Sequence, residues 1–224
     1  MEKSNKYLYK KDMPVYTKGE EIFNVITHGT GVLAFIVGAV FLIIASLQSA
    51  LLLFCSIVYT TTSFLLYATS TIYHVLPPVK KIKSIFRKLD HCSIFLFIAG
   101  SYMPISMLLV KGRVAIYLAI IIWLTAILGV VLNLLSVNRF SKFSLALYII
   151  MGWASIFLVK RIFENSSSFQ IIMLITGGIV YTLGAVIYVL GKKIKYMHSV
   201  WHLFVLIGSV LHFLLVYSLC LNPK

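Results

Sequence analysis

The stretch "HSVWH", residues 198–202, sets two imidazoles four residues apart inside a run, 196–221, apolar enough to cross a bilayer. On a helix, side chains at i and i+4 share a face roughly 6 Å apart, so both rings can reach one cation. An imidazole in hydrocarbon is costly unless something holds it, and a divalent ion would do so. A third ring is available at His74, in "STIYH" (70–74), about two residues inside the end of another apolar run. Three neutral His ligands with an open fourth position describe a catalytic zinc rather than a structural one. Such an ion draws the pKa of a coordinated water towards 7 and so provides a hydroxide nucleophile at neutral pH. Asp90, in "RKLDHCSIF", is the acidic side chain within the predicted spans, placed to hydrogen-bond that water or to orient a ligand ring. Ser70 lies one turn from His74 on the same face, where its hydroxyl would help to stabilise an oxyanion.

Other polar residues read more plainly. His91 follows Asp90 and so points about 100° away from it, towards packing or headgroup contact. His212 is ten residues past His202, about 15 Å deeper, and is expected as a hydrogen-bonded core histidine. In "TKGEEIFNVITHGTGV", Thr17 and Glu20 have capping-box spacing, and Glu20 and Glu21 favour a helix N-terminus. Asn24 and His28 follow one and two turns further in and are expected to line an access route or to brace the metal shell.

The elements that must position these residues follow from composition. Of 224 residues, 60% are hydrophobic and 12% charged, with a mean hydropathy of +0.98. That composition excludes a soluble domain and predicts an all-α membrane protein. The net charge of +14 would prompt nucleic acid, but the basic residues sit in short runs between apolar segments. They predict contact with anionic lipid headgroups and no nucleic acid. Cys55, Cys92 and Cys220 lie within apolar segments with no CxxC, so neither a disulfide framework nor a thiolate metal site is expected.

Charge breaks divide the chain into seven apolar segments, near 22–47, 50–76, 88–110, 113–135, 142–160, 168–191 and 196–221. Each is long enough to cross ~30 Å of hydrocarbon. The weakest division is "SLQSA" (46–50), where a turn is required because a ~55-residue helix is not plausible. Pro77-Pro78 should end the second span, and Asp90 should open the third. Pro104 should loosen a helical hydrogen bond, and Gly177-Gly178 could allow close packing. With seven spans, fifteen of the twenty Lys and Arg fall on the side of the N-terminus, which predicts a cytoplasmic N-terminus and an extracytoplasmic C-terminus. The organisation expected is a cytoplasmic tail over 1–21, a seven-helix membrane domain over 22–221 and a short tail over 222–224. His74, Ser70, Asp90, His198 and His202 then share one layer within about 10 Å of the inner surface.

In combination, "GEEIFNVITHGTG", "STIYH", "LDHCSIFLFIAGSYMP" (89–104) and "HSVWH" resemble the haemolysin III family. That family groups with the progestin and adipoQ receptors and, more distantly, with alkaline ceramidases. The resemblance covers essentially the whole chain in order. It implies a seven-helix bundle in the cell membrane with a zinc ion near the inner leaflet, held by His74, His198 and His202. It also implies that Asp90 contacts the zinc-bound water and that Ser70 lies beside it. The link between His74 and Asp90 is a residue shorter than in the adiponectin receptors, which should alter a loop and not the site. No extracellular or long cytoplasmic receptor domain is expected, so a hormone-receptor role is not carried over.

The expected function is zinc-dependent hydrolysis of an amide or ester in a membrane lipid, with Asp90 as general base. Two other readings stand beside it: a sensor of membrane composition in which zinc staples two helices, and a cytolytic or channel-type haemolysin.

Overall fold

The computed structural model describes residues 14–77, 81–191 and 194–222. Eight of the basic residues counted above, Lys3, Lys6, Lys10, Lys11, Lys80, Lys192, Lys193 and Lys224, fall outside them, as does Pro78. Among the described residues the structure is helical throughout and contains no strand. Six helical stretches among these residues are long and apolar enough to cross a membrane.

Helix α1, Lys18–Ser46, opens on the capping box anticipated from spacing. The Thr17 hydroxyl accepts from Glu20 N at 3.3 Å and Glu20 Oε2 accepts from Thr17 N at 2.8 Å, satisfying two donors that a helix N-terminus otherwise leaves unpaired. The other oxygen of Glu20 accepts from Tyr196 N at 2.9 Å, so one carboxylate fixes the start of α1 and the approach to the last helix. The turn required near 46–50 is present: α1 stops at Ser46 and α2, Ala50–Val75, begins four residues on. Helix α2 ends two residues before Pro77, as the steric demand of a proline on its predecessor requires.

Helix α3, Lys81–Pro104, departs from expectation at its start. Asp90 does not open it but lies more than two turns inside. The preceding "KIKSIFRK" continues the helix because Lys83 is buried and paired: its ammonium donates to Glu21 Oε1 at 2.7 Å and to the Leu76 carbonyl at 2.8 Å. After Pro104 the chain widens into a π-helix, Ile105–Val110. Lacking an N–H, proline leaves the regular ladder one bond short, and the wider winding answers that loss.

Helix α4, Gly112–Trp153, is interrupted at Ser136, whose backbone is extended (φ −163°, ψ 108°). Ser136 Oγ accepts from Arg139 N at 3.3 Å, so it acts as N-cap to a second arm. That arm folds back on the first: Ser144 Oγ donates to Asn133 Oδ1 at 2.8 Å, although eleven residues of straight helix would separate them by about 16 Å. The second arm continues through a 3-10 turn, Ala154–Leu158, into the short α5, Val159–Asn165. Helix α6, Ser168–Leu190, and α7, Met197–Leu221, complete the bundle.

Helices α1 and α2, α2 and α3, α3 and α4, and α6 and α7 pack against one another, and α1 closes on α7. Gly177 is where α6 meets α7, since a Cβ there would run into the His212 ring. Gly178 instead faces Trp153 at ordinary contact distance, so the close approach belongs to the first glycine alone. His212 Nε2 faces the Leu174 carbonyl at 3.4 Å, as a hydrogen-bonded core histidine should. All three cysteines are buried as free thiols.

Candidate metal centre

Helix α2 presents Ser70 and His74 on one buried face, and α7 presents His198 and His202 one turn apart. Packing of α1 between them brings the two pairs together. One ring nitrogen from each of His74, His198 and His202 lies within 4.8 Å of the others. The ring centroids stand 5.3 Å (His74–His198), 5.2 Å (His74–His202) and 4.5 Å (His198–His202) apart. Nε2 of all three is buried with no hydrogen-bond partner. Three orphaned nitrogens would be an expensive arrangement unless they shared a ligand.

The opposite edges of two rings explain why these nitrogens are free. His74 Nδ1 lies 2.6 Å from Glu21 Oε2; a carboxylate only accepts, so the proton sits on Nδ1 and the lone pair on Nε2. The Thr27 hydroxyl already donates to the Phe23 carbonyl at 2.9 Å. It therefore accepts from His202 Nδ1, 3.3 Å away, which again leaves Nε2 unprotonated. A carboxylate behind a ligating imidazole is the arrangement that fixes tautomer and ring orientation at metal sites. Asn24 ties α1 to α7 beside this pair: its Oδ1 accepts from Ser199 Oγ at 2.6 Å. The donor set and its protonation thus fit a tetrahedral metal ion such as zinc.

Asp90 does not join the three-histidine group but borders it, within the electrostatic reach of His74. Ser70 lies against Asp90, and its hydroxyl oxygen is buried without a well-formed hydrogen bond. Tyr16, just ahead of α1, roofs the cluster: its ring stacks on His198 (5.1 Å, 26°) and stands edge-on to His74 at 5.6 Å. Burial raises the pKa of its phenol above the ordinary value, and the neighbouring Tyr73, Tyr188, Asp90 and Glu21 add to the rise, so it remains a neutral donor.

Sequence spacing anticipated the grouping of His74, His198 and His202. It missed Glu21, assigned to the helix terminus, and did not mention Tyr16 or Thr27. The available signal was the stripe Glu21, Asn24, His28 at i, i+3 and i+7, a polar line down an otherwise apolar helix. Glu21→Gln keeps the shape but replaces the accepting carboxylate. It should weaken metal binding about 10–100-fold, as read by chelator competition on purified protein.

Beneath the cluster runs a cavity of about 390 Å³, bounded by α3, the second arm of α4, α6 and α7. Asp90, His28 and Trp201 line it near the histidines, while Ile105, Ile162 and Phe163 line its far end. Between these ends its wall is mostly Ile, Leu, Phe, Tyr and Trp, and Asp90 to Ile105 alone spans about 22 Å of helix. His91 also borders the cavity, and it stays outside the three-histidine group.

Fold and site together define a helical membrane protein with a buried three-histidine cluster able to hold a metal ion. The family model described as "Haemolysin-III related" matches residues 16–213. The chain belongs to the haemolysin III family and is a multi-pass membrane protein. It is 40% identical to "Hemolysin-3" of Bacillus cereus over 201 residues, covering 88% of this chain and 90% of that one. It is 38% identical to the "Hemolysin-3 homolog" of Bacillus subtilis (strain 168) over 210 residues, 93% and 98% of the two chains. Over 160 residues it is 30% identical to the "Monocyte to macrophage differentiation factor" of Homo sapiens, 68% and 65% of the two chains.

Proposed function

We propose that this protein is a zinc-dependent hydrolase of a lipid amide or ester, acting at the inner leaflet of the cell membrane. The observation that carries the reading is the conjunction of three orphaned imidazole nitrogens, a buried carboxylate and an apolar cavity that the carboxylate lines. His74, His198 and His202 would hold the ion; bound there, zinc supplies Lewis-acid chemistry, polarising a carbonyl and making water more acidic. Asp90 accepts the proton that the attacking water gives up. The unpartnered Ser70 hydroxyl donates to the carbonyl oxygen as negative charge develops on it. The cavity takes the acyl chain, which holds the scissile bond at the headgroup layer.

In this reading the two arms of α4 are separate crossings, seven in all, with the N-terminus cytoplasmic. The basic loops on that side meet anionic headgroups. The test is the purified protein's metal content together with its turnover of a panel of ceramides and phospholipids. About one zinc per chain with release of fatty acid is expected. Metal retained with no turnover across the panel overturns the hydrolase. A stapling role for the ion would then stand, favoured by ligands drawn from two helices, α2 and α7.

A further inference from the structure

Lys83 stands where local preference would not put it. It is a cation in the first turn of α3, where the helix dipole favours the opposite sign, and it is 2% exposed. A buried ammonium is costly unless its three N–H groups are satisfied. One donates to Glu21 Oε1 and one to the carbonyl of Leu76, the C-cap of α2. The Tyr73 ring, with its centroid 5.0 Å away, offers its π-face to the third. Each of these partners adjoins the histidine cluster. Glu21 uses its other oxygen to hold His74 Nδ1 at 2.6 Å, and Tyr73 and Leu76 flank His74 at the end of α2. Asp90 lies about two turns beyond Lys83 on the same face of α3.

We infer that Lys83 is a positioning residue of the metal centre: it holds the Glu21 carboxylate in the orientation that braces His74. Glu21 lies in the first turn of α1, and 21% of its side chain is exposed. Held by His74 alone, a side chain with that many rotatable bonds would gain entropy by turning out to water. With one oxygen on the imidazole and the other on the ammonium, its plane is fixed. The contacts run from ammonium to carboxylate to imidazole, across α3, α1 and α2, and end on the His74 Nε2 left for the ion. The bond to Leu76 steadies the end of α2 whether or not an ion is bound. Lys83 donates to Glu21 and not to a histidine, so what it contributes to the ion passes through that carboxylate. The inference rests on the proposal that the three histidines hold a metal ion, and it does not require that the ion act on lipid.

The experiment measures zinc dissociation constants of the purified full chain in detergent by competition with a chromogenic chelator, and the melting temperature of each protein stripped of metal. The variants are Lys83→Met, Glu21→Gln and the double variant Glu21→Gln/Lys83→Met, a neutral pair that leaves no buried charge alone. Zinc should bind about tenfold more weakly to Lys83→Met than to the native chain, the lower end for a group behind a ligand. Glu21→Gln and the double variant should bind zinc within about twofold of each other, because the route from Lys83 to the ion is already cut. A double variant more than about fivefold weaker than Glu21→Gln overturns the inference and makes Lys83 a brace of the fold alone. Native-like zinc affinity in Lys83→Met overturns it too, even with a lowered melting temperature, and leaves the metal centre intact. Should Lys83→Met fail to fold, the comparison of Glu21→Gln with the double variant decides. A native chain that binds no zinc overturns the inference and the metal centre together. A native chain that binds zinc, shows these differences and cleaves no lipid sinks the hydrolase and leaves the Lys83 assignment standing.

Discussion

Asp90→Asn protein should keep about one metal ion per chain and lose lipid turnover by roughly 10²–10⁴-fold, the span attributed to a positioned acid–base group. The substitution preserves size and hydrogen-bonding capacity but removes the carboxylate that accepts a proton. Metal is expected to stay because Asp90 lies outside the three-histidine group. The measurement pairs metal analysis with turnover of whichever lipid the native protein cleaves. Metal lost together with activity would move Asp90 into the coordination shell. Activity retained would remove it from the chemistry and favour the stapling role.

His202→Ala should leave the purified protein with less than about a tenth of its metal, because removing one of three ligands costs far more than disturbing a bracing partner. Of the three proposed ligands, His202 is the one whose loss should tell most. It is fully buried, it is oriented by Thr27, and it carries His28 stacked on its face. Its removal opens a space between α1 and α7 as well as emptying a coordination position. The melting temperature should fall in consequence, and added zinc should fail to restore it. His212→Ala is the comparison: that ring faces the Leu174 carbonyl and should not alter metal content. Equal metal content in the two variants would mean that the ion, if any, binds elsewhere.

The haemolysin name borne by two relatives invites a pore, and the polar residues give that reading little support. The carboxylates of Glu21 and Asp90 lie with His74, His198 and His202 at one end, while the cavity leading away from them is walled mostly by Ile, Leu, Phe, Tyr and Trp. A surface of that kind suits a lipid chain better than hydrated ions.

Much of the architecture was legible from local features. The turn at 46–50, the end of α2 ahead of Pro77 and the capping box at Thr17 each follow from residues adjacent in sequence. So does the pairing of His198 with His202, since helical periodicity alone puts them on one face. The start of α3 was not legible: "KIKSIFRK" looks like a solvated loop until Lys83 is seen to pair with Glu21, sixty-two residues earlier. The break in α4 at Ser136 falls within the connection expected between 135 and 142; not legible was that a Ser136 side-chain cap would start the second arm at once.

Sequence by itself determined that this chain lives in a membrane and that three imidazoles occupy a common depth, because hydropathy and rise per residue are properties of single helices. It could not decide which side chains stand behind those imidazoles. Glu21 and Thr27 look like a helix-start acid and an ordinary membrane threonine until α1 is packed against both α2 and α7. Only that packing gives His74 a carboxylate and His202 a hydroxyl, and so decides which nitrogens are left to face one another. The cavity is likewise a product of assembly, since its walls come from helices that no local periodicity relates.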